Sequence, residues 1–243
     1  MLNILNKDSR QLILFIVVVA IVWLFVELSF EVFAGSSAAI DEKIVLAFRE
    51  PTDLSDPIGP KWIEEMMRDI TGLGGVGILV FISLLTLMYL LIDGKNKVAL
   101  IFFVAVSTGL LLSFSLKYGF TRPRPDLVPH GSYVYTSSFP SGHAMMSSLI
   151  YLTMAGMLSQ LPFRRSVKIY FFIIAIVLTV SIGISRVYLG VHWPTDVLAG
   201  WLGGAGWALL TLFIIRLFKV MYWIGPDSED NPDQAVDPPK VKN

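Results

Sequence analysis

Three short stretches of the sequence hold residues suited to surround a phosphoryl group. Lys117 is separated by six residues from Arg124-Pro125, and Pro140-Ser141-Gly142-His143 follows. Ser185-Arg186 then precedes His192 by five intervening residues, and Asp196 lies four beyond that histidine. A phosphoryl group spreads its charge over its equatorial oxygens, so a site for it needs several fixed donors. Arg124 and Arg186 offer bidentate guanidinium forks, and Lys117 supplies a point charge. Pro123 and Pro125 restrain the backbone on both sides of Arg124. Ser141 and Gly142 stand just before an apolar run that reads as a helix, where unpaired N–H groups favour an anion. Glycine there also admits close backbone approach. Together these residues describe an oxyanion cradle.

The same stretches contain a nucleophile and an acid. His192 and Asp196 share one helix face, with Pro194 suited to the first turn. The carboxylate can accept one imidazole N–H, fix the tautomer and leave the other nitrogen free to attack phosphorus. His143 can protonate the departing oxygen. The expected chemistry is metal-free phosphoryl transfer through a phosphohistidine, with no cofactor. Only three histidines and no cysteine are present, so a metal constellation has little material. Arg122, Asp126 and His130 receive no catalytic role, although Arg122 could assist substrate binding.

Taken singly, each residue has a plainer reading. Basic residues at helix ends snorkel to a membrane interface, and a single His–Asp pair is often structural. Snorkelling does not explain why a serine, a glycine and two histidines accompany three cations.

Residues this far apart require a scaffold, and the composition indicates its kind. Of 243 residues, 54% are hydrophobic and 16% charged, against roughly 25% charged in an average soluble domain. Six segments approach the ~20 apolar residues that cross a bilayer: 12–34, 72–92, 98–116, 144–161, 169–185 and 197–215. The expected fold is all-α, a six-transmembrane-helix bundle forming one membrane-embedded domain over residues 1–223. The first segment exceeds a signal-peptide core and is read as a retained helix. The polar, proline-spaced residues 224–243 read as a disordered cytoplasmic tail.

Basic residues in the short loops 93–97 and 162–168, and beside the outer ends of the first and last spans, place that side in the cytoplasm. Both termini would then be cytoplasmic in a multi-pass protein of the cell (inner or plasma) membrane, with the candidate site at the extracytoplasmic face. The acid-rich segment 35–71 lies on that face. Within it, Lys61–Ile70 reads as a short amphipathic helix on the membrane surface or capping the bundle. Gly200 and Gly204 form a GxxxG pair in the last span, read as ordinary helix packing. The net charge of zero, from 19 basic and 19 acidic residues, gives no field for nucleic acid.

The three stretches resemble the signature of the type 2 phosphatidic acid phosphatase superfamily, in its bacterial membrane branch. All eleven signature positions agree in residue and spacing. The resemblance covers Lys117–Asp196 directly. It implies that His192 is the nucleophile, Asp196 orients it and His143 is the general acid. Lys117, Arg124, Ser141, Gly142 and Arg186 would bind phosphate. It implies a metal-independent phosphatase acting on a lipid phosphate or pyrophosphate such as undecaprenyl pyrophosphate, phosphatidylglycerophosphate or phosphatidic acid. Transfer to a second lipid is the alternative for the same site, and oligomeric state is left open. A transporter would place ionisable residues at mid-bilayer and show inverted repeats, and neither pattern is present. An intramembrane protease built on Ser141 would leave the arginines without a role.

Overall fold

Long uncharged runs have one stable arrangement in hydrocarbon, the helix, because it satisfies every backbone polar group internally. The computed structural model describes residues 7–132 and 136–217, and eight helices account for most of them. In chain order these are α1 (Lys7–Phe33), α2 (Ala38–Leu46), α3 (Lys61–Gly72), α4 (Val76–Ile92), α5 (Asn96–Gly119), α6 (Gly142–Leu158), α7 (Arg165–Tyr188) and α8 (Pro194–Leu217). A short antiparallel hairpin, β1 (Arg49–Glu50) and β2 (Asp53–Pro57), connects α2 to α3. The expected tail 224–243 lies outside the described residues.

Helix α6 forms the centre. It packs most extensively on α8, then on α7, and also meets α4 and α5. Its apolar side chains are enclosed, with Met145 and Leu149 fully buried. So are its hydroxyls Ser147, Ser148 and Thr153. Small residues allow this intimacy. A Cβ at Gly204 would stand 2.2 Å from the Met145 carbonyl oxygen, and one at Gly200 would stand 2.7 Å from that of Ser141. The GxxxG pair therefore presses α8 onto the backbone of α6, the close approach that small residues permit between membrane helices.

The outer helices turn apolar side chains outward. Trp23 and Phe30 on α1, Phe81 on α4 and Leu111 on α5 are all more than 60% exposed, a surface that belongs in lipid. Among the described residues, four helices are long and apolar enough to cross a bilayer: Gln11–Phe33, Asn96–Gly119, Arg165–Tyr188 and Pro194–Ile215. A fifth is reached if α3 and α4, bent by 44° at their junction, count as one span. The remaining expected span, α6, has 17 residues, about 26 Å of helix against about 30 Å of hydrocarbon. Its polar face is shielded by neighbouring helices. The chain is a multi-pass membrane protein.

The segment 35–71 holds α2, the hairpin and α3. α3 caps the bundle through α7, with Ile63 and Met67 against Tyr188, Leu189 and Val191. Trp62 on its opposite side is 61% exposed. Gly59 precedes α3 at φ +96°, a left-handed conformation suited to glycine.

Candidate active site

The last turn of α5 delivers Lys117, and the returning loop folds over it. Lys117 Nζ donates to the Ser137 carbonyl at 3.1 Å, and Ser137 Oγ donates to the Lys117 carbonyl at 2.7 Å. Arg124 is spread across the same loop. Its Nε donates to the Thr136 carbonyl at 2.9 Å and its Nη1 to the Val191 carbonyl at 2.6 Å. Arg186 rises from the end of α7 and donates from Nη1 to Thr71 Oγ1 at 3.0 Å, while its buried Nε has no partner. Among the described residues, none of these three cations contacts a carboxylate within 4.0 Å. Arg186 is buried and Lys117 and Arg124 are half-buried, and enclosed cations without counter-ions favour an anion.

His192 lies between them. The turn ahead of it passes through Gly190 at φ +69°, where a Cβ would also stand 2.5 Å from Val128 Cγ2. His192 Nε2 is 3.2 Å from Arg124 Nη1, and Nδ1 is 3.5 Å from Asp196 Oδ2. A guanidinium can only donate, so Nε2 is the acceptor and Nδ1 carries the proton toward Asp196. Burial, reinforced by Arg124 and Arg186 and opposed by Asp196, pushes the His192 imidazole down to about 3. The ring is thus neutral at pH 7, with its free lone pair facing the cations.

Asp196 is held with equal care. Trp193 N donates to its Oδ2 at 2.9 Å, with Pro194 at the first helical position. This is a capping-box contact from the third residue of α8 back to the residue before it. Ser138 Oγ also donates to Oδ2, and Arg122 Nη1 donates to Oδ1 at 2.7 Å.

Lys117, Arg124, Gly142, His143, Arg186 and His192 line one end of a cavity of about 420 Å³. Its other end is apolar, lined by Leu79, Leu87, Phe102 and Val106. Two expected members stand behind this wall. Asp196 is fully buried beneath His192, and Ser141 lies beside the cavity with its buried Oγ unpartnered. The Ser141 N–H is not free for an anion, since it donates to the Asp196 carbonyl at 3.0 Å. The amides of the first turn of α6, from Gly142 onward, have no partner within the helix. No group of three His, Cys, Asp or Glu side chains is placed to hold a metal among the described residues.

The reading of Arg122 changes. Its guanidinium is engaged by Asp196 and by Asp41 of α2, whose Oδ2 accepts from Nη2 at 2.7 Å, so it has no fork left for substrate. Asp41 and Thr71 had no local sequence signal at all. Asp41 lies on α2 and Thr71 on α3, in the segment 35–71, where hydrophobic periodicity says little about which polar group turns inward.

Residues 97–219 match the PAP2 superfamily. Phosphatidylglycerophosphatase B of Bacillus subtilis is 38% identical over 160 residues, covering 65% of this chain and 75% of that protein. Lipid A 1-phosphatase of Rhizobium johnstonii is 27% identical over 207 residues, covering 75% of this chain and 80% of that protein. The crystal structure of a transmembrane PAP2-type phosphatidylglycerolphosphate phosphatase from Bacillus subtilis superposes with a TM-score of 0.69 at 32% identity. That likeness covers 83% of this chain and 95% of the other.

Proposed function

The chain belongs to the PAP2 superfamily and is a membrane-associated lipid phosphatase, and from that premise we propose that it works without metal through a phosphohistidine on His192. The observation that carries this reading is a set of three cations, Arg186 buried and Lys117 and Arg124 half-buried, none paired with a carboxylate among the described residues, around a neutral imidazole nitrogen. Lys117, Arg124, Arg186 and the first amides of α6 hold the phosphoryl oxygens, with Ser141 and Gly142 shaping that helix start. The Nε2 lone pair of His192 attacks phosphorus as the bond from phosphorus to the lipid oxygen breaks. His143, able to take up a proton once the substrate's phosphate offsets the surrounding cations, gives it to that oxygen, and Asp196 holds the Nδ1 proton of the now cationic ring. Water then attacks the phosphohistidine and yields its proton to His143, releasing phosphate and restoring His192.

The substrate is a lipid whose tail lies in the apolar end of the cavity. Val80 and Leu84 of α4 and Phe103 and Phe114 of α5 line it while remaining exposed on the bundle surface. The cavity thus opens sideways toward lipid. Candidates are undecaprenyl pyrophosphate, phosphatidylglycerophosphate and phosphatidic acid. Purified full-length protein in detergent with excess EDTA should release phosphate from at least one of them, and the relative rates should rank the three. Release abolished by EDTA would refute the metal-free route. Phosphate appearing only on an added lipid acceptor would make the enzyme a phosphotransferase.

The spans number six, counting α3–α4 as one and α6 as another, with both termini cytoplasmic and His192 at the extracytoplasmic face. The absence of cysteine allows a clean test. A Ser132→Cys variant should react with an impermeant maleimide on intact cells. Reaction only after permeabilisation would place the site on the other side.

A further inference from the structure

A second buried carboxylate sits behind the His192–Asp196 pair. Asp41 of α2 is fully buried, far in sequence from every residue of the site. Its Oδ1 accepts from Thr195 N at 3.0 Å, and its Oδ2 from Thr195 Oγ1 at 2.7 Å and Arg122 Nη2 at 2.7 Å. Ser37 Oγ adds a fourth bond at 3.2 Å. Asp41 therefore satisfies an orphan amide of the first turn of α8 from another helix, and its charge suits that end of the helix dipole.

Arg122 ties this carboxylate to the other. Its Nη2 faces Asp41, while its Nη1 reaches Asp196 Oδ1 at 2.7 Å and Thr195 Oγ1 at 2.8 Å. The guanidinium also lies over the Trp193 ring, 5.5 Å from its centroid. One planar fork thus spans two carboxylates, which a lysine ammonium does not do with the same geometry. Asp196 Oδ1 is occupied by Arg122, leaving Oδ2 to accept from Ser138 and Trp193 N and to face His192 Nδ1 at 3.5 Å.

We propose that Asp41 and Arg122 are positioning residues of this phosphatase, a relay from α2 that aims the Asp196 carboxylate and, through it, His192. The relay rests on the reaction assigned above to His192. Neither Asp41 nor Arg122 touches the cavity. They contribute the orientation of one oxygen against Nδ1, and the balance of charge when the ring becomes cationic. With Arg122 present, two carboxylates and one guanidinium leave a single negative charge to face that ring.

The test uses full-length Asp41→Asn and Arg122→Lys proteins beside wild type. Each should lower kcat roughly 10- to 100-fold, as loss of a group supporting a catalytic ligand does, with KM within about twofold. In an Asp196→Asn background, Asp41→Asn should cost less than about twofold more, because its route to His192 is already cut. The ¹⁵N resonances of His192 should move from a single Nδ1–H tautomer to a mixture in both variants.

A folded variant with kcat within twofold of wild type would overturn the proposal. So would a raised KM at unchanged kcat, which would return Arg122 to substrate binding. An undiminished penalty in the Asp196→Asn background would cut the relay, and failure of both variants to fold would reduce the pair to a structural brace. If wild type releases no phosphate from any lipid, the assigned reaction fails, whereas the His192 tautomer still reports on the relay.

Discussion

Replacing His192 with alanine is expected to remove phosphate release from every lipid substrate, by roughly six orders of magnitude or to the assay floor. Deleting a nucleophile that acts as part of a unit costs about that much. Nothing near it can substitute. His143 is the only other histidine lining the cavity, and His130 Nε2 donates to the Pro125 carbonyl at 2.7 Å, outside it. The alanine protein should still bind substrate, since Lys117, Arg124 and Arg186 keep their own backbone and side-chain anchors. A pH series adds an independent check. Burial lowers the His192 imidazole to about 3 in the folded protein, so protonation removes the nucleophile only as pH falls toward that value. Between pH 8 and pH 5 the ring should stay neutral, and its ¹⁵N shifts should not titrate. Residual release above about 1% of wild type, or a titration of His192 near 6.5, would assign the nucleophile elsewhere.

The second large effect concerns the frame and not the chemistry. Gly204→Ala should destabilise the detergent-solubilised protein by about 3 kcal/mol or more, the upper range for overpacking a close-packed interior. The added methyl would stand 2.2 Å from the Met145 carbonyl oxygen and 2.7 Å from Ser148 Cβ. One of these atoms is backbone, so no rotamer change relieves the clash. To make room, α8 must move away from α6, carrying Asp196 away from the α6 end marked by His143. Activity should fall with the melting temperature. Gly77→Ala provides the control, since a Cβ there meets nothing within 4 Å, and its stability should stay near wild type. Equal melting temperatures for the two variants would mean that the α6–α8 contact is looser than described.

Much of the site was legible before any coordinates because helix ends leave a sequence record. Lys117, Arg124, Ser141–His143, Arg186, His192 and Asp196 each lie where an apolar run starts or stops, and the three loops had to meet at one membrane depth. Cavity lining by Lys117, Arg124, Gly142, His143, Arg186 and His192 agrees with that reading. Hydropathy does not say what a helix faces. α6 is apolar because it is enclosed by protein, and its 17 residues make the shortest of the helices read as spans, level with α4. A buried helix and a lipid-facing helix carry similar composition, so only the packing distinguishes them.

The sequence by itself determined the family of chemistry, since charged and nucleophilic groups at fixed spacing from helix ends survive any detail of packing. Only the tertiary structure decided how that chemistry is supported. Nothing local separates Asp41 from the seven other acids between Gly35 and Thr71; its burial beneath α8 makes it a partner of Arg122. Nothing in Arg122 itself tells a substrate-binding arginine from one engaged by two carboxylates. Those roles arise from long-range contacts, 81 and 74 residues apart along the chain, and such contacts exist only once the helices have packed.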